Sequence, residues 1–351
     1  MKNKILILTP PLDLLHGVSL HYTGLQSDWK ENVVYFETFK NKNKTILNPM
    51  LYGFNLLKFI FKLVFFKPDI TVINVSLKKG FFSKNKYLAI IKYLSSSKRI
   101  TFIHGWDVES ENLLTENKGQ YLLKNSDSLI VLAKEFKTKL IRCGYKNEIF
   151  ISTTKVDKDL LRGFEINRSR FNIRTFLFVS RIEKYKGIYE AIELFVELKK
   201  DDNNIRLLIV GDGGELNNVK TYINDNNYKD IFFFGRLSGD QLAQKYYESD
   251  LLLFPSYSEG IPAVILEAMS FGIIIATTPV GGIVDFFDEN MGIFLDKENH
   301  ISNIAHIKTI MKDEHKINYI SNYNFNYSRT NFISSKVAGN LEDFFNKHKN
   351  D

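Results

Sequence analysis

A chain of 351 residues is long for one hydrophobic core, and with 44% hydrophobic and 14% aromatic residues it can fill two, which excludes a wholly disordered protein. The net charge of +7 is unevenly spread: residues 1–165 hold 26 Lys and Arg against 15 Asp and Glu, whereas residues 166–351 hold 21 against 25. A single cysteine, Cys143, rules out an intrachain disulfide and suits a reducing compartment, and no run of about 18 apolar residues reads as a spanning helix.

The chain opens with a strand, Lys4–Leu8. Basic residues precede it, but Pro10-Pro11 cut the apolar run short, so it reads as a strand and not as a secretory signal. Further strands are predicted at Val33–Phe36, Ile70–Val75, Arg99–His104, Ser128–Leu132 and Ile149–Ser152, then at Thr175–Ser180, Arg206–Gly211, Ile231–Gly235, Leu251–Phe254, Ile273–Ala276 and Gly292–Leu295. Short apolar runs alternate with longer amphipathic stretches in both halves, which predicts an α/β protein of two doubly wound domains, residues 1–165 and 166–325. A last helix within 326–351 is marked by Val337, Leu341, Phe344 and Phe345. Parallel sheets of this kind bind ligands at the carboxyl ends of their strands, so the loops that follow strands are where chemistry is expected.

Between Lys40 and Lys98 there are twelve lysines and one acid, Asp69. Such a segment suits an anionic surface, either lipid headgroups or a lipid pyrophosphate, with a solvated lysine-rich face as the plain alternative. Nucleic acid is disfavoured, because no helix-turn-helix spacing, RNA-binding aromatic signature or Cys/His finger accompanies the charge. Inside this segment Leu51–Lys67 is strongly apolar, with Lys58 and Lys62 one helical turn apart. The expectation is a helix packed on the sheet with its lysines outward, and an in-plane membrane helix is the alternative.

Several loops carry candidate groups. His16-Gly17 follows the first strand, and His104 with Asp107 ends the fourth. Asp157-Lys-Asp159 has the spacing of an Asp-x-Asp metal motif. Arg181 and Lys186-Gly187 follow Thr175–Ser180; Gly211 opens a G-D-G-G turn that lacks the third glycine of a dinucleotide fingerprint; and Arg236 follows Ile231–Gly235. The richest stretch is Leu251–Phe286. Pro255 ends a strand, Pro262 suits the first turn of a helix that Gly272 stops, and Gly281-Gly282 follow the next strand. Glu259 falls just before that helix and Glu267 inside it. An ionised carboxylate accepts two vicinal hydroxyls, but paired glutamates also occur on ordinary solvated helix faces.

The Glu259-x7-Glu267 pair, Arg181-x4-Lys186 and the Gly281-Gly282 turn together resemble the C-terminal half of GT-B glycosyltransferases of the retaining, family-4 type. The resemblance implies two Rossmann-like domains facing a cleft, with the last helix crossing back to the first domain. It implies that Glu259 and His104 contact the transferred sugar, with Asp107 orienting the imidazole or capping the next helix. Arg181 and Lys186 would draw off the diphosphate, Glu267 would hold the ribose, Gly211 and Arg236 would line the nucleotide pocket, and the N–H groups of Gly281 and Gly282 would face an anion at a helix N-terminus. Gly17 would approach the donor phosphate, although related enzymes carry two adjacent glycines where this chain has His16-Gly17.

Asp157-Lys-Asp159 matches the interdomain connector of that family and is read as structural, so metal-independent chemistry is expected, with no cofactor beyond the nucleotide diphosphate sugar as donor substrate. The function implied is retaining transfer of a sugar to a glycan or lipid-linked oligosaccharide acceptor during synthesis of a bacterial surface polysaccharide, capsular or lipopolysaccharide. The enzyme would be cytoplasmic, in peripheral contact with an anionic membrane on the inner face of the plasma membrane. Two other classes stand beside it: a sugar-nucleotide epimerase of the same architecture, and a non-catalytic nucleotide-sugar-binding subunit.

Overall fold

The computed structural model describes residues 2–13, 17–38, 48–77, 83–106 and 110–348; His16 and Asp107 lie outside them. Twelve short apolar runs become twelve strands. The first sheet contains β1 (Lys4–Thr9), β2 (Asn32–Glu37), β3 (Ile70–Ser76), β4 (Lys98–Gly105), β5 (Ser128–Val131) and β6 (Ile149–Ile151). The second contains β7 (Thr175–Val179), β8 (Arg206–Val210), β9 (Ile231–Phe233), β10 (Leu251–Phe254), β11 (Ile274–Thr277) and β12 (Gly292–Phe294). All pairings are parallel. Every residue of β5, β7, β10 and β11 is buried, the pattern of strands covered by helices on both faces.

Strand order decides where each sheet can bind a ligand. In the first it is β2-β1-β3-β4-β5-β6, and in the second β12-β11-β10-β7-β8-β9. The direction of winding therefore reverses between β1 and β3 in one sheet and between β7 and β10 in the other. At such a point the loops leave toward opposite faces and open a crevice beyond the carboxyl ends of the two strands.

The chain divides into two compact units, one of 1–154 with 334–351 and one of 155–333. The division lies ahead of the expected 165/166 boundary because the connector packs on the second unit. There Val156 forms a parallel bridge with Ile333 and donates to the Phe332 carbonyl at 2.7 Å, Arg168 pairs with Asp250, and the buried Arg170 donates to the Ser249 carbonyl at 3.0 Å. In Asp157-Lys-Asp159, Asp157 is held by Lys155, and Asp159 by Arg162 at 2.5 Å.

The helix Ser334–Lys347 groups with the first unit. Glu342 on it accepts the N–H groups of Lys30 and Glu31 at 2.6 and 2.8 Å, and Phe344 stacks on Phe150 with ring centroids 4.6 Å apart. Cys143 is half-buried, and burial pushes its thiol pKa up.

One element packs on the first sheet with its lysines outward, as expected, but leaves apolar side chains in solvent as well. The helix Asn48–Phe66 buries Phe59 and Leu63, but Met50, Phe54, Leu57, Phe61 and Phe65 stay exposed alongside Lys58 and Lys62. It is apolar around most of its circumference, and the sheet can cover only one side. Among the described residues no helix is long and apolar enough to cross a membrane.

Candidate functional site

In the second unit three loops meet at the switch point. The loop after β7 carries Arg181–Gly187, the loop after β10 carries Pro255–Pro262, and the turn after β11 leads to Gly281. They are joined backbone to backbone: Tyr257 N–H donates to the Tyr185 carbonyl at 3.0 Å, and Gly282 N–H to the Gly260 carbonyl at 2.8 Å. Gly187 has φ +77°, and a Cβ there would stand 2.1 Å from the Pro255 carbonyl oxygen; at Gly281, with φ +56°, a Cβ would stand 1.7 Å from that of Glu259. Glycine at both positions lets the loops touch.

Side chains then converge. Lys186 Nζ lies 2.5 Å from Glu259 Oε1, and both side chains are nearly buried, 13% and 9% exposed. Glu259 Oε1 also accepts from the Ser256 hydroxyl at 2.7 Å. The Tyr185 ring lies near two of the three cations of its loop, 5.5 Å from the Arg181 guanidinium and 5.4 Å from Lys186 Nζ. Arg181 is exposed. A desolvated carboxylate, an ammonium and a nearby guanidinium can hold sugar hydroxyls and a diphosphate respectively. Tyr185 and Ser256 escape a sequence reading, since neither side chain differs from any loop tyrosine or serine until the loops are folded together.

Glu267 lies on the helix Ala263–Ser270 and is half-buried. The buried Tyr246, on the helix Gly239–Glu248, donates its hydroxyl to Glu267 Oε2 at 2.7 Å. Burial raises the Glu267 pKa above the usual carboxylate value, against the lowering effects of the Tyr246 hydrogen bond and the Lys155 charge. The same carboxylate keeps the Tyr246 phenol protonated far above its usual range, with burial the larger cause.

Two expectations about glycines are corrected. Gly281-Gly282 do not start an α-helix: they open a five-residue 3₁₀ turn, Gly281–Asp285, and the Gly282 N–H is spent on Gly260 rather than turned toward an anion. Gly211 does not leave its backbone open to a nucleotide. Its N–H donates to the Gly235 carbonyl at 2.7 Å, and a Cβ on it would stand 1.8 Å from the Ser180 carbonyl oxygen, so protein backbone fills that approach. Arg236 is exposed in the loop just after β9.

The first unit places its own polar cluster beside the β1/β3 switch point. Asn74, in β3, donates through Nδ2 to the Leu8 carbonyl at 2.9 Å, which fixes its amide orientation. Its Oδ1 therefore accepts, from the Tyr22 hydroxyl at 2.9 Å and from His104 Nε2 at 2.6 Å. An amide oxygen has no proton to give, so Nε2 carries it. Burial, with the nearby His21 ring, holds the His104 pKa well below the usual histidine value. The ring is neutral, and Nδ1 is left as an acceptor. Gly17 starts the helix Gly17–Thr23, where an added Cβ would meet no atom within 4 Å. Among the described residues no group of three His, Cys, Asp or Glu side chains could hold a metal ion.

Residues 164–327 match the family Glycosyl transferases group 1. The chain is 25% identical over 258 residues to an amylovoran biosynthesis glycosyltransferase, AmsK, of Erwinia amylovora, covering 69% of this chain and 61% of that one. It is 30% identical over 219 residues to an uncharacterized glycosyltransferase, MJ1178, of Methanocaldococcus jannaschii, covering 60% and 58%. The chain thus spans less than two thirds of the length of either relative. In fold it is similar to Anabaena Alr3699/HepE, solved in complex with UDP, with a TM-score of 0.76 at 16% identity over 98% of this chain and 100% of that one. With two six-stranded parallel sheets, each wound with helices, this chain has the GT-B fold, and its residues 164–327 match the glycosyl transferases group 1.

Proposed function

We propose that the chain is a retaining glycosyltransferase that moves a sugar from a nucleotide diphosphate sugar to a glycan or lipid-linked oligosaccharide acceptor. The observation that carries the reading is the Lys186–Glu259 pair at the β7/β10 switch point. Without donor, each group neutralises the other. A diphosphate entering beside Arg181 and Tyr185 would draw Lys186 toward itself and release Glu259 to accept sugar hydroxyls. Glu267, held by Tyr246, would take the ribose hydroxyls.

Catalysis in this reading is electrostatic and needs no metal ion. Arg181 and Lys186 stabilise charge on the departing diphosphate as the bond from the sugar anomeric carbon to the phosphate oxygen breaks. The acceptor oxygen bonds to that carbon from the same face, and its proton passes to the departing phosphate oxygen, so configuration is kept. His104, neutral with Nδ1 as acceptor, would orient a sugar hydroxyl. The acid-poor segment between Lys40 and Lys98 and the amylovoran relative support a surface-polysaccharide acceptor, met at an anionic membrane on its cytoplasmic side.

The test is a nucleotide-sugar panel incubated with a membrane extract as acceptor, with the anomeric configuration of the product read by NMR. Transfer with retention, lost in Lys186→Ala and Glu259→Gln, supports the reading. An inverted product overturns the mechanism; a modified nucleotide sugar formed without acceptor means an epimerase; tight binding with no turnover means a silent subunit.

A further inference from the structure

The helix Asn48–Phe66 presents solvent with a stripe that a water-exposed surface does not need. Met50, Phe54, Leu57, Phe61 and Phe65 are 76%, 56%, 55%, 62% and 78% exposed. At about 100° per residue they fall within an arc of roughly 80°, and at about 1.5 Å rise the stripe runs for roughly 22 Å. A continuous apolar face of this kind is rare on a monomer unless something covers it.

Charge narrows the choice of partner. The helix contains two lysines, Lys58 and Lys62, and no acid, and Lys67 follows its end. Both lysines are exposed along one margin of the stripe, with Lys58 Nζ folded over the Phe54 ring at 4.7 Å. A second copy of this chain packed on the stripe about a twofold axis would set Lys58 and Lys62 against a helix that carries the same two lysines and no carboxylate to answer them. Lipid phosphates answer all of them. Among the described residues no helix is long and apolar enough to cross a bilayer, but a helix with one apolar face and a cationic margin is stable lying in the headgroup plane.

We infer that Asn48–Phe66 is a membrane-docking helix that lies in the plane of an anionic bilayer, its Phe54, Leu57, Phe61 and Phe65 side chains among the acyl chains and its lysines on the phosphates. This gives the membrane contact proposed above a defined element, and it does not depend on the transfer chemistry.

The experiment is flotation of the full chain, without donor, on vesicles of phosphatidylglycerol with phosphatidylethanolamine and on vesicles of phosphatidylcholine alone. The wild type is expected to float with the anionic vesicles. The triple variant Phe54→Ser/Phe61→Ser/Phe65→Ser should lose more than about a hundredfold in partitioning. Lys58→Gln/Lys62→Gln should lose about thirtyfold and flatten the salt dependence. Circular dichroism melting checks that each variant is folded. If the triple variant fails that check, Phe61→Cys in a Cys143→Ser background, labelled with an environment-sensitive dye, replaces it: a blue shift on adding anionic vesicles supports the inference, and an unchanged spectrum refutes it. Absence of wild-type flotation, or flotation of a folded triple variant like the wild type, overturns the inference. So does a wild-type dimer that the triple variant dissociates without any vesicle binding, which assigns the stripe to a second copy. None of these outcomes bears on whether the chain transfers sugar.

Discussion

Lys186 and Glu259, 73 residues apart in sequence, form a nearly buried ion pair with Nζ 2.5 Å from Oε1. Each is a candidate ligand for a different part of one donor molecule, and each holds the other in the absence of that donor. The pair explains how the second unit tolerates a nearly buried ammonium and a nearly buried carboxylate in one crevice.

Removing one member strands the other. Lys186→Ala should destabilise the chain by about 3 kcal/mol, because Glu259 is left buried with only the Ser256 hydroxyl. Lys186→Ala/Glu259→Ala should lose less than the sum of the single changes. Urea unfolding of the four proteins of this double-mutant cycle measures the coupling, and additive losses would show that the pair is not formed in solution.

Glu267 makes stability depend on pH in an unusual direction. Its pKa is raised in the folded chain, chiefly by burial, so the folded state holds a proton that the unfolded state releases. Stability from this group is present below the ordinary value of 4.5 and is lost as pH rises from there through the raised folded value. Glu267→Gln should flatten the melting profile across that window and keep the fold at neutral pH, and it should weaken nucleotide binding. A profile identical to that of the wild type would contradict the burial of this carboxylate.

His104 shifts the other way. Its folded pKa lies below the ordinary 6.5 through burial and the nearby His21, so its contribution to stability is present above 6.5 and is lost as pH falls from there toward the folded value. Nitrogen chemical shifts of the imidazole should report a neutral ring protonated at Nε2 at pH 6. Asn74→Leu should remove the preference for that tautomer, and His104→Ala should abolish transfer while nucleotide binding survives.

Two glycines separate backbone conformation from close contact. Gly235 and Gly281 both have positive φ, +63° and +56°, but only at Gly281 does an added Cβ collide, 1.7 Å from the Glu259 carbonyl oxygen. Gly235→Ala should cost about 1 kcal/mol. Gly281→Ala should cost about 3 kcal/mol and displace Glu259, so that donor binding falls with it. Equal costs would mean that the turn after β11 does not press on the β10 loop.

The strands were legible because a parallel strand buried on both faces reads as a short unbroken apolar run, as Leu251–Phe254 does. The loops carrying Arg181, Lys186 and Glu259 were legible by motif. Their mutual contacts were not, since spacing along the chain says nothing of a pairing across two loops. The glycine turns misled for a related reason: G-D-G-G and Gly-Gly look open in sequence, but the Ser180 and Glu259 carbonyls occupy the space. The face of Asn48–Phe66 was illegible on principle. Met50, Phe54, Leu57 and Phe61 share helical spacing, and so do Tyr52, Leu56, Phe59 and Leu63, and periodicity alone does not say which row meets the sheet.

The central claim is that the three loops at the β7/β10 switch point bind the donor, and thermal unfolding with a panel of nucleotide diphosphate sugars tests it most directly. A ligand at about 100 times its Kd adds about 2.7 kcal/mol to the folded state. The account predicts that at least one member of the panel raises the wild-type Tm and that this rise disappears in Glu267→Ala and Arg181→Ala. A panel that leaves the wild type unmoved, or a rise that both variants retain in full, would contradict it.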